Sequence, residues 1–372
     1  MLLWVSGSKY FVREDRPAWL LRLLFGIKVL LALAFFGMYT FYYQDRSTAD
    51  MYKYYDDAVV LFRCAKEQPA SFIHIISGDL RSSTDSLYFN QMNHWKLGYS
   101  RLFENNHRQM IWFNLILMPV SQQNILVHCL VMCFLSFMGL LWIHTFLSEQ
   151  LPHKSRLLLL SLFMLPGPMF WTSALLKESL VVFYLGICLL ILRKQQKTWM
   201  YMILALALIL LFQLKTYFAL AMVFPLGVML LDAVVGNKRR GLMYGIMTFV
   251  FLLMAIGLNF LPEAYNPWLS LTQKLNGFRE VNAANPAASG YDLGLSDSPV
   301  MWEWLIKLPA ALLTGICRPM LWEARSPVVG LSASDFIFWM AGLFTVWIGR
   351  RRTATKENLS VQERKVSTLV VS

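Results

Sequence analysis

The chain has 372 residues, 57% of them hydrophobic and only 15% charged, with a mean hydropathy of +0.48. A soluble domain carries about 25% charged residues, so this composition excludes an ordinary soluble globular protein. The net charge of +12 does not mark a nucleic-acid binder. Its Lys and Arg residues sit in short loops beside apolar runs, which is the footprint of membrane orientation.

Several apolar runs approach the ~20 residues that carry a helix across a hydrocarbon core. Lipid offers no partner to backbone N–H and C=O groups, so a spanning segment is a helix or part of a closed barrel. The runs are continuous rather than alternating, which excludes the barrel. The expected fold is all-α: a polytopic transmembrane bundle of about eight spans, with short re-entrant or interfacial helices.

The first span is expected at 19–43, after Lys9, Arg13 and Arg16, which place the N-terminus in the cytoplasm. It is too long for a signal-peptide core and has no small-residue cleavage site, so it reads as a retained helix. The polar segment 44–109 is too long for a simple connection and is expected to fold on the exoplasmic membrane surface. Residues 110–120 are apolar but too short to span, and read as an interfacial or re-entrant helix.

Further spans are expected at 125–147, at 157–171, from Lys177 to Arg193, and at 199–214, 216–235 and 242–261. Pro166-Gly167-Pro168 must break or kink the third. A second exoplasmic segment, 262–332, holds a short apolar piece at 304–316. The eighth span, 336–348, is stopped in the cytoplasm by Arg350-Arg351-Arg352. The domain reading is one transmembrane domain, 1–352, and a disordered cytoplasmic tail, 353–372. No internal repeat is present, which disfavours an inverted-repeat transporter. The five cysteines lack metal-ligand spacing, and a Cys64–Cys317 bridge is not favoured.

Four constellations carry chemistry. The first runs from Asp50 to Asp57 just after the first span. Adjacent carboxylates such as Asp56 and Asp57 can act as a general base or bind a divalent cation, and the neighbouring tyrosines can stack on a sugar. A solvated helix start is the structural reading. The second is the hairpin ending in Lys177-Glu178, where charges at a helix end in a bundle are costly; an interfacial pair is the structural reading. The third is Lys215-Thr216-Tyr217, and the fourth holds Arg318, Glu323 and Arg325. Positive charge at exoplasmic helix ends runs against the topology bias and asks for an anion, such as a lipid-linked phosphate. Pairing with the local Glu178 and Glu323 is the other reading, with Arg325 ranked below Arg318. The histidines at 74, 94 and 107 show no ligand spacing, and His128 and His144 read as packed or hydrogen-bonded residues of a span. No nucleotide-binding, GxSxG or HExxH motif is present.

One span, then a large outer loop opening on an acidic-aromatic motif, then short-looped spans: this order resembles the GT-C class of integral membrane glycosyltransferases. It is also similar to bacterial O-antigen and exopolysaccharide polymerases. The segments 52–57, 171–178, 215–217 and 318–327 are similar to uncharacterised membrane proteins encoded among bacterial surface-polysaccharide genes. The resemblance implies a polyprenyl-phosphate sugar donor and a first-loop carboxylate at Asp56 or Asp57, with Asp50 the weaker choice. The chain departs from the larger GT-C members in having fewer spans and no soluble C-terminal domain.

The reading is a membrane glycosyltransferase or glycan polymerase acting on polyprenyl-(pyro)phosphate-linked saccharides at the outer face of a bacterial inner membrane. Asp56 and Asp57 are its catalytic candidates. Asp50, Lys177, Glu178, Lys215, Tyr217, Arg318, Glu323 and Arg325 are its substrate-binding candidates, and a divalent cation is a candidate cofactor. Membrane lipids, a lipid-linked saccharide donor and polysaccharide-assembly proteins are the expected partners, with no nucleic acid. The alternatives are a lipid-linked glycan transporter or flippase, and a non-catalytic assembly subunit.

Overall fold

The structure is a computed structural model that describes residues 7–8, 11–42, 46, 49–95, 106–193, 197–235, 240–257, 260, 267–284, 292–297, 301–324 and 326–342. All regular structure among them is helical, as the composition requires. The chain divides into two compact units, residues 1–164 with 168–274, and 165–167 with 275–372.

In the first unit, α1 (Ala18–Gly37) continues through a wider turn at Met38–Tyr42, and the two form one rod of 25 residues. The segment after it folds into α2 (Asp50–Glu67), α3 (Pro69–Ser77) and α4 (Ser83–Gln91). Asp50 in the first turn and Lys66 in the last suit the dipole of α2. Pro69 starts α3, and Gly78 ends it in the left-handed conformation, with φ 77°. A reciprocal capping box between Ser82 and Asp85 starts α4. The described part of the long polar segment is therefore folded into helices.

Next come α5 (His107–Ser121), α6 (Ile125–Gln150), α7 (Ser155–Met164) and α8 (Pro166–Trp171). The expected third span is thus broken, at Leu165. Helices α9 (Lys177–Leu192), α10 (Thr198–Leu214), α11 (Thr216–Val235) and α12 (Arg240–Gly257) complete the unit, and α13 (Pro267–Ala284) holds the division between the units.

Helix α6 is the axis of the core. Phe25 of α1 packs edge-on against Phe137 of α6, at 5.1 Å between ring centres, and Phe163 of α7 packs on the same ring at 5.5 Å. Gly139 of α6 and Gly186 of α9 let those helices touch backbone to backbone. A Cβ on Gly139 would lie 2.5 Å from the Val182 carbonyl oxygen, and one on Gly186 would lie 2.6 Å from that of Gly139. Arg193 and Glu149 pair at 3.1 Å beyond this crossing.

The second unit contains α14 (Met301–Cys317), which includes Pro309, and α15 (Pro327–Gly342). Helix α15 begins at Pro327, ahead of the expected 336, because Ser326 Oγ accepts from the Val329 N–H and proline suits a first helical turn. Asp335 accepts from the Gly167 N–H at 2.9 Å. Arg279 of α13 clamps the turn at 292–297 through Asp292, Asp297 and the Leu295 carbonyl.

Two helices among the described residues are long and apolar enough to cross a membrane, Ala18–Tyr42 and Ile125–Gln150. Thr198–Leu214, Thr216–Met229 and Pro327–Gly342 are shorter apolar helices. The cysteines at 64 and 317 are both free. The tail at 353–372 lies outside the described residues.

Candidate functional site

Helix α2 is amphipathic, and its pattern sorts the acidic motif. Met51, Tyr52, Tyr54, Tyr55, Ala58, Leu61 and Cys64 face the protein, while Asp50 and Asp56 stay on the outer side. Asp57 falls on the inner face and is buried, 3% exposed. Its carboxylate accepts three backbone N–H groups from beyond α4: Asn93 at 3.1 Å, His94 at 2.8 Å and Trp95 at 2.7 Å. Asp57 therefore pins the 93–95 turn onto α2.

Asp56 is held differently. Arg46 donates to it from Nε at 2.8 Å and again through its second fork nitrogen. The same guanidinium lies 3.9 Å from the centre of the Tyr52 ring. The hydrogen bond that Arg46 donates to Asp56 outweighs partial burial and raises the Arg46 pKa. Asp50 accepts from Lys53 at 3.0 Å, one helical turn on. Arg46, Lys53, Asp56, Asp57, Asn93 and His94 line one cavity of about 220 Å³.

His94, in the wall of this cavity, begins a row of tilted ring contacts. His94 lies 5.4 Å from His107, and His107 lies 5.6 Å from Tyr54. Lys177 reaches the same place from the other hairpin: its Nζ lies 5.5 Å from the Tyr54 ring centre and donates to Asn106 Oδ1 at 2.7 Å. Burial, then the charges of Lys177 and His94, push the His107 pKa down to about 3. His94 is also lowered, by burial first, with Asp57 partly opposing.

The hairpin that presents Lys177 is fastened from below. Lys28 of α1, fully buried, donates to Thr172 Oγ1 at 2.8 Å and to Ser173 Oγ at 3.2 Å. Ser136 of α6 donates to the Thr172 carbonyl at 2.5 Å, and Ser179 closes the turn onto Ala174 O at 2.7 Å. On the other side of Lys177, Glu178 accepts from Lys215 at 2.5 Å. Burial works against the Lys215 charge, but Glu178 and Tyr217 together outweigh it and the pKa rises.

Asp50, Asp56, Asp57, Lys177, Glu178, Lys215 and Tyr217 thus belong to the first unit. There the second and third constellations join through Glu178–Lys215, and the second meets the first through Tyr54 and His107. Arg318 and Glu323 belong to the second unit, where they pair at 2.8 Å. Arg325 lies outside the described residues. Sequence reasoning missed Arg46, Asn93, Asn106 and Lys28, and set His94 and His107 aside. Of these only Lys28 carries a signal in sequence, as a charge inside an apolar run.

Among the described residues no group of three His, Cys, Asp or Glu could hold a metal ion. The candidate divalent cation finds a poor donor set here, because Asp57 is engaged by three amides and Asp56 by a guanidinium. The chain matches no protein-family model, no curated protein and no solved structure.

Proposed function

We propose that this chain is a membrane glycosyltransferase or glycan polymerase acting on polyprenyl-(pyro)phosphate-linked saccharides at the outer face of a bacterial inner membrane. In this proposal it crosses the membrane about eight times, with both ends cytoplasmic. The observation that carries the reading is the approach of Lys177 to the Asp56 cavity through Tyr54 and His107. It links a cation for a phosphate, through three rings, to the cavity of a carboxylate that can serve as a base, the two groups that glycosyl transfer from a phosphate ester requires.

In the proposed reaction the acceptor hydroxyl gives its proton to Asp56 as its oxygen bonds to the anomeric carbon. The bond from that carbon to the phosphate oxygen breaks, and the phosphate leaves with the electron pair toward Lys177 and Lys215. Arg46 turns from Asp56 to the donor phosphate, which frees the base when donor is present. Asp57 holds the 93–95 turn in place. No step runs through a metal.

Binding of farnesyl diphosphate to the purified protein tests the phosphate side. The expected result is that Lys177→Ala weakens binding at least tenfold. Equal affinity in wild type and variant would remove Lys177 from the donor site. One observation favours the second reading, a lipid-linked glycan transporter: Lys28 is a fully buried charge within a candidate span, and such residues often mark a transport path.

A further inference from the structure

The turn between α5 and α6 holds a second arrangement, independent of the cavity at Asp56. Ser121 Oγ lies 2.7 Å from His128 Nε2, and His128 Nδ1 lies 2.8 Å from Asn114 Oδ1. All three residues are buried. Direction follows from the far end of the chain of bonds. The Asn114 amide nitrogen is committed to the Met110 carbonyl at 2.8 Å, so its oxygen faces the imidazole. An oxygen accepts, so His128 carries its proton on Nδ1. Nε2 is then the bare nitrogen, and the Ser121 hydroxyl donates to it. This is the polarity a base needs to activate a nucleophile, with a third group fixing the tautomer.

The backbone turns sharply just after the serine. Gln122 and Gln123 both adopt positive φ, 52° and 61°, which is uncommon for a residue with a side chain. Gln122 ends α5 in the left-handed conformation common at helix C-termini, and with Gln123 it turns the chain into α6 directly after Ser121. The turn is held by Tyr55, whose hydroxyl donates to the Gln123 carbonyl and whose ring packs edge-on against His128 at 5.3 Å. Residues 122–124 are exposed, so Ser121 lies just beneath the surface.

We propose that Ser121 is a nucleophile, with His128 as its base and Asn114 as a positioning residue, that accepts the acyl group of a carboxylic ester presented at the membrane surface. Ser121 Oγ attacks the carbonyl carbon as its proton passes to His128 Nε2. The carbonyl electron pair moves onto oxygen as the tetrahedral intermediate forms. Collapse breaks the ester bond, and the leaving alkoxide takes the proton from His128. Water repeats the sequence on the acyl-serine: it gives a proton to His128, its oxygen bonds to the acyl carbon, and Ser121 departs with that proton as the carboxylic acid forms.

The test is a fluorophosphonate probe, which phosphonylates activated serines, followed by mass spectrometry of the peptide containing Ser121. The expected result is an adduct on Ser121 in folded wild-type protein and none after heat denaturation. His128→Gln abolishes it. Asn114→Leu slows labelling at least tenfold, and Asn114→Asp, which restores an acceptor to Nδ1, recovers it. Absence of the adduct in folded wild type, or equal labelling before and after denaturation, overturns the proposal without reference to any variant. Unchanged labelling in His128→Gln overturns the role of the base.

Discussion

Lys215 donates to the Glu178 carboxylate at 2.5 Å, across the two hairpins that precede α9 and α11. The contact fixes Glu178 and so the start of α9, where Lys177 leaves toward Asn106. Its stability has a defined pH sense. The Lys215 pKa is raised, so the contribution is fully present below the ordinary lysine value of 10.5 and is lost only as pH climbs through the raised value.

Lys215→Met is expected to cost about 1–3 kcal/mol at pH 7, because a half-buried carboxylate loses a charged hydrogen bond. Glu178→Met/Lys215→Met should cost less than the sum of the two single changes. Thermal unfolding in detergent measures both, and additivity would show that the pair is not coupled.

The depressed pKa of His107 gives the opposite pH sense. The folded protein keeps this ring neutral down to about 3, while the unfolded chain protonates it near 6.5. Its contribution to stability is full above 6.5 and declines as pH falls toward 3, with a slope of about 1.4 kcal/mol per unit for one proton. His107→Gln should flatten the dependence of the unfolding midpoint between pH 6 and pH 4. An unchanged slope would mean that the ring is already protonated in the folded state.

Part of this arrangement is legible in sequence, and the reason is periodicity. The apolar runs that become α1 and α6 announce themselves by length, and the break at Pro166 by its residue type. The pairing of Arg318 with Glu323 and of Lys215 with Glu178 is one of the two readings that the sequence allows for these cations. What sequence does not carry is the partner of Asp57. Its ligands are backbone amides 36–38 residues away, which leave no side-chain signature. Nor does spacing reveal the row from His94 through His107 and Tyr54 to Lys177, because four separate elements supply it.

The proposed topology rests on the charge asymmetry of the loops. Cysteines placed at Ser82 and Ser289 should react with an impermeant maleimide in spheroplasts, and one placed in the tail at 353–372 should not. Protection of both loop positions, with labelling of the tail, would reverse the orientation.

The central claim is that Asp56 is the base of a glycosyl transfer, and it is tested most directly by the surface glycan of a deletion strain complemented with variants. Asp56→Asn is expected to reach wild-type protein levels and to abolish the glycan, because an amide cannot take the acceptor proton. Asp57→Asn is expected instead to lower protein level and thermal stability by about 1–3 kcal/mol, since it weakens the seat of three buried amides. Normal glycan in the Asp56→Asn strain at wild-type protein level would contradict the account.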